Sequence, residues 1–123
     1  MLKLLLDEHI SPKVAYGLRR RNNSLIVRFM AEWEKGDFLG RDDCACLQMA
    51  ASQRLTLVSY DRRTIPLLLK VWAEEGRSHG GVVFIDEKTI SPADIGLLVL
   101  ALSNLWKESA RLDWTDGICF LQR

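Results

Sequence analysis

With 123 residues and a formal net charge of +1, the chain has room for one domain, and its composition makes no electrostatic case for a polyanionic partner. Apolar residues are 48% and charged residues 27% of the total, a globular balance that excludes a disordered chain. The run from Met1 to Leu6 is too short for a signal peptide, and no later run approaches the ~20 apolar residues that span a bilayer, so a cytoplasmic protein is expected.

Leu2 to Leu6 is a short, nearly continuous apolar run, interrupted only by Lys3, that ends in Asp7 and Glu8, the pattern of a strand buried on both faces of a parallel sheet. Ser11-Pro12 supplies a cap and a first-position proline for a helix that runs to Asn22-Asn23. Its last turn carries Arg19, Arg20 and Arg21, read here as a solvated helix end. Leu25 to Val27 reads as a second strand, and Met30 to Arg41, with Gly36 and Gly40, as a loop. Asp42 or Asp43 caps a helix to about Ser52, and Leu55 to Val58 forms a third strand that ends at Ser59-Tyr60-Asp61. Thr64-Ile65-Pro66 opens a helix that Gly76 stops.

Gly80-Gly81 leads into a fourth strand, Val82 to Ile85, which ends at Asp86 and Glu87. Ser91-Pro92 repeats the cap-and-proline signal for a long apolar helix to Lys107, and Ile118 to Leu121 is the last strand. Leu97 to Leu100 and Leu102 cover more of that helix than one core face requires; burial in the core is the default reading, and a dimer or partner contact the alternative. The β-α alternation predicts a three-layer α/β/α sandwich around a mostly parallel sheet of four to five strands.

Cys44, Cys46 and Cys119 are odd in number, and the first two point to different faces of a helix, so neither a disulfide framework nor a zinc site is expected. His9 and His79 are isolated, and Trp33, Trp72, Trp106 and Trp114 read as packing residues before base-stacking ones.

In open α/β sheets ligands bind beyond the carboxyl ends of the strands, and here those positions are acidic: Asp7 and Glu8, Asp61, and Asp86 with Glu87, with Asp42 and Asp43 facing the same crevice. Crowded carboxylates repel unless a cation neutralises them, and oxygen donors suit Mg²⁺ or Mn²⁺, ions that support metal-assisted phosphoryl chemistry. Each acid also has a structural reading. Asp42 or Asp43 serves as a helix cap, Asp61 starts a turn, and Glu8 and Glu87 are solvated. Asp7 is harder to dismiss as structural, because two acids at the end of an apolar strand give the fold nothing that a neutral turn would not.

The stretch Leu5-Leu6-Asp7-Glu8-His9-Ile10-Ser11-Pro12 resembles the opening of the small PIN-like proteins. Asp43 and its apolar helix, Val58-Ser59-Tyr60-Asp61-Arg62, and Gly80-Gly81-Val82-Val83-Phe84 extend the resemblance over residues 2–87. The resemblance implies a three-layer α/β/α fold and a Mg²⁺- or Mn²⁺-dependent endoribonuclease, the toxin of a bacterial toxin-antitoxin pair. Asp7, Asp43 and Asp61 would then be the metal ligands, with Glu8, Asp42 and Asp86 as further candidates. RNA would be the substrate, a cognate antitoxin and a second copy of the chain the protein partners. Relatives often carry another acid two residues after the one matched by Asp61, then an aromatic; here Arg63 and Thr64 stand there. The site would then be an acid short, with weakened metal binding or a pseudo-enzyme as the result, unless Glu8 or Asp86 replaces that carboxylate; Ser59 would orient a ligand or water or be a plain strand hydroxyl, and Arg62 and Arg63 would contact a substrate phosphate. The alternatives are a catalytically weak binding module and a phospho-receiver domain, which also places an acidic pair after its first strand and an aspartate after its third.

Overall fold

The computed structural model describes residues 1–123. The elements in chain order are β1 (Lys3–Leu6), α1 (Pro12–Arg21), β2 (Ile26–Phe29), α2 (Asp43–Ser52), β3 (Thr56–Ser59), α3 (Thr64–Glu74), β4 (Val82–Phe84), α4 (Ile95–Ser109) and β5 (Ile118–Phe120), with a 3-10 turn at Trp33–Gly36. All strands run parallel in one five-stranded sheet of order β2-β1-β3-β4-β5. Helices on both faces make the α/β/α sandwich that the alternation predicts.

The leucine run of β1 shows why the sheet needs two covering layers. Successive side chains of a strand point to opposite faces. Leu4 and Leu6 accordingly join a core with Val14 and Leu18 of α1 and Leu98 and Leu102 of α4. Leu5 joins the opposite core with Leu47 of α2 and Ile65 and Trp72 of α3. Apolar residues on both faces require helices on both faces, and parallel crossovers provide them.

Most helix ends follow local chemistry. Ser11 accepts from the Lys13 amide at 3.2 Å ahead of Pro12, and Gly76, at φ +71°, lies just beyond the end of α3. The start of α4 corrects the sequence reading. Ser91 reaches only the Ala93 amide, at 3.2 Å, closing a turn around Pro92, whereas Asp94 accepts from Leu97 at 3.1 Å and caps the helix. Two capping residues stand three apart, and the carboxylate that reaches an amide three residues on takes the cap.

Within α4, Leu98, Val99, Ala101 and Leu102 are buried, Leu97 and Leu105 pack against the same core, and Leu100 is exposed. The broad apolar surface of this helix is therefore used between the sheet and α1. The segment from Met30 to Arg41 also contributes to a core: Met30, Trp33 and Phe38 are buried, and the Trp33 indole donates to Gln53 at 2.9 Å. Trp33 and Trp72 are core residues, and Trp106 and Trp114 are partly buried against the α1–α4 core. No helix is long and apolar enough to cross a membrane.

Candidate metal centre

The strand order reverses between β1 and β3, where the chain, having placed β2 on one side of β1, adds β3 on the other. The crevice at such a reversal, beyond the carboxyl ends of the strands, is the ligand-binding position of doubly wound sheets. Asp7 follows β1 directly and Asp61 lies just past β3, so both acids stand at this crevice.

A buried hydroxyl joins them. Ser59, the last residue of β3, is fully buried; its Oγ donates to Asp7 Oδ2 at 2.7 Å and accepts from the Asp61 amide at 2.9 Å. The other Asp7 oxygen accepts from the Glu8 amide at 2.7 Å. Asp61 Oδ1 accepts from the amides of Arg63 and Thr64 at 2.9 and 2.8 Å, so this acid also organises the start of α3. The turn-forming role that the sequence allows it is therefore present.

The two acids at the start of α2 divide the work. Asp42 is the cap, its Oδ1 accepting from Ala45 at 2.7 Å. Asp43, the first helical residue, is half-buried and turned toward the other acids. Burial first, then the charges of Asp61 and Asp7, push its carboxyl above the ordinary aspartate range; proximity to Asp61 and the charge of Asp42 add to the effect. Burial also works to raise Asp61, but the backbone amides of Thr64, Arg63 and Ile65 outweigh it and hold that carboxyl below its usual value. Asp43 is thus held toward its neutral form and Asp61, with its amide donors, toward its charged form.

The remaining candidates lie around this group. Glu8 is exposed and lines a small recess with Asp7, Asp43 and Arg41; the recess volume, about 10 Å³, is room for a single water-sized species. Asp86 lies apart, bound to Arg62 at 2.9 Å and to the Lys88 amide at 2.9 Å, and its carboxyl is lowered by that amide and then by the guanidinium. Arg62 is thus already paired, while the exposed Arg63 side chain has no acidic partner.

Two further residues of the recess were not found by sequence reasoning. Arg41 lies over the Phe38 ring at 4.8 Å, a contact within a segment read as loop. Cys46 follows Asp43 by one helical turn, and that spacing could have placed it on the same face. Burial, with the charges of Asp43 and Asp7, pushes its thiol up to about 11, which makes it an inert core residue and not a nucleophile.

The donor set consists of carboxylate and hydroxyl oxygens, with excess negative charge at Asp43. That chemistry fits a hard divalent cation. No group of three or more Asp, Glu, His or Cys side chains is arranged as the ligands of one ion. Mg²⁺ keeps several waters and takes only one or two carboxylates directly. Comparison of the chain with known protein families, curated proteins and solved structures finds no match.

Proposed function

We propose that the protein is a metal-dependent endoribonuclease of the PIN-like type, in which Asp7, Asp43 and Asp61 hold Mg²⁺ or Mn²⁺. The observation that carries this reading is the convergence of these acids at the β1–β3 reversal, where Ser59 Oγ ties Asp7 to the Asp61 backbone and where burial, then the charges of Asp61 and Asp7, raise the Asp43 carboxyl. A divalent ion bound there would supply activated water and stabilise the leaving oxygen of a phosphodiester. The chain's own residues set the stage for that chemistry. Ser59 orients Asp7 through Oδ2 and the Asp61 backbone through its amide. Asp43 holds its proton more tightly than an ordinary aspartate and is the acid whose ionisation a cation would favour most. Arg63, exposed and two residues after Asp61, would contact a substrate phosphate.

The test is cleavage of a mixed single-stranded RNA by the purified protein in Mn²⁺, Mg²⁺ or EDTA, with Asp7→Asn alongside. Cleavage that requires both metal and Asp7 is expected, with the melting temperature of Asp7→Asn unchanged. Metal-independent cleavage, or unfolding of the variant, would overturn the assignment. A cytoplasmic toxin role, a protein antitoxin and a homodimer belong to the same proposal; a strictly monomeric chain by size measurement counts against the dimer.

One observation favours a second reading. The order β2-β1-β3-β4-β5 is also that of phospho-receiver domains, in which Asp61 would be the phosphorylated acid. Ile85 and Asp86 stand after β4 where a hydroxyl residue is needed, Gln122 and Arg123 near the end of the chain where a lysine is needed, and Asp43 has no assigned part. Stable labelling of Asp61 by acetyl phosphate would reverse the ranking.

A further inference from the structure

The arginine triplet at the end of α1 does not act as one solvated patch. Arg19 folds back under the sheet edge, donating to the Val27 carbonyl at 2.7 Å and pairing with Glu32. Arg20 and Arg21 instead line a groove of about 600 Å³ between α1 and α4, together with Lys13 and Tyr16. None of Lys13, Arg20 and Arg21 has an acidic partner. These residues share one face of α1, and α1 contains no acid at all.

The floor of the groove is shaped by two glycines. At Gly17 a Cβ would lie 2.7 Å from Val99 Cγ2, so glycine lets the helices approach closely. At Gly96 a Cβ would meet nothing within 4 Å and would project into open space. Tyr16 is 48% exposed, yet its ring is held edge-on against Phe29 at 5.6 Å with the Arg19 guanidinium at 5.9 Å. An exposed, preorganised aromatic flanked by unpaired cations is the arrangement on which nucleic-acid bases stack while their phosphates are neutralised.

Direction ties the groove to the acidic rim. α1 follows β1 and α4 follows β4 in a parallel sheet, so both helices begin at the end that carries Asp7 and Asp61. Lys13 lies near that end, and Arg20 lies ~10 Å farther along the axis at 1.5 Å per residue. We propose that the α1–α4 groove docks single-stranded RNA, with Lys13, Arg20 and Arg21 on its phosphates and Tyr16 against a base. The choice of RNA rests on the nuclease reading. An acidic amphipathic helix fits less well, since beside the glycines the floor offers only Ile95 and Val99 as anchors.

Binding is to be measured by fluorescence anisotropy with a labelled single-stranded RNA of mixed sequence, in EDTA and in the Asp7→Asn background, so that cleavage plays no part. The combined Lys13→Ala, Arg20→Ala and Arg21→Ala variant should bind on the order of tenfold to a hundredfold more weakly at 0.1 M salt. Its dependence of log K on log salt should be shallower by about 2, from ~0.7 per lost phosphate contact. Gly96→Glu should weaken binding and Gly96→Ala should not, while a charge-matched Lys70→Ala, Arg111→Ala and Arg123→Ala control should bind nearly as the parent does. Equal losses in the groove and control variants would overturn the proposal. Competition by oligoglutamate as effective as that by RNA would overturn it in favour of an acidic protein partner. RNA binding that depends on the groove, in a wild-type protein without metal-dependent cleavage, would remove the nuclease reading and leave the groove standing. Cleavage with groove variants that bind normally would remove the groove alone.

Discussion

Ser59→Ala removes the one side chain that ties both strand ends of the candidate site. The hydroxyl is fully buried, donates to a carboxylate at 2.7 Å and accepts from an amide at 2.9 Å. A hydrogen bond to a charged group contributes ~1.5–3 kcal/mol and a neutral one ~0.5–1.5 kcal/mol. Asp7 is only half-buried, so water recovers part of the first contribution. The net cost expected is therefore about 2–3 kcal/mol. Urea unfolding of wild type and variant measures it directly, and a double-mutant cycle with Asp7→Ala should give a coupling of about 1–2 kcal/mol. Tightness of Mn²⁺ binding should fall in parallel, because Asp7 loses the donor that aims it. A cost below ~0.5 kcal/mol, the size of an ordinary surface substitution, would refute the argument that this hydroxyl organises the rim.

Asp43 gives a prediction with a definite pH sign. Its folded-state pKa is raised above 3.8, so its ionisation opposes folding; the penalty is absent below the unfolded value, grows as pH rises above it and is complete once pH has passed the folded value. Asp43→Asn should therefore melt above wild type at neutral pH, with the gap closing below the ordinary aspartate range, and should lose most of the stabilisation that Mn²⁺ gives wild type. A lower melting temperature at neutral pH would contradict the crowding. At α4, Asp94→Ala should cost about 1 kcal/mol in chemical unfolding and Ser91→Ala only a few tenths, because Asp94 alone caps the helix. Gly17→Ala should destabilise by ~1–3 kcal/mol through overpacking, offset in part by helix propensity, since its Cβ would lie 2.7 Å from Val99 Cγ2. Val99→Ala in the same chain should relieve that clash, giving a double variant more stable than the sum of the single effects allows.

What the sequence determined was whatever depends on near neighbours along the chain. The unbroken leucines of β1 required helices on both faces, and Ser11-Pro12 set the start of α1 through contacts made within a few residues. The acids at strand ends were legible too, because in a parallel sheet every strand delivers its last residue to the same rim. Local signals failed where two were in competition: Ser91 and Asp94 both cap well, and only the folded geometry showed which carboxylate or hydroxyl reaches a helical amide. They also failed where partners are distant. The Ser59–Asp7 bond spans 52 residues, Arg62 finds Asp86 across a strand end, and Arg19 separates from Arg20 and Arg21 only because β2 lies beneath it. Asp43 stands near Asp7 and Asp61 and Asp42 is the cap because a helix can turn only one of two adjacent residues toward the crevice. Sequence spacing sets which side chains share an element; closure of the sheet sets which of them meet, since it brings β1 beside β3 and makes their terminal acids share one crevice.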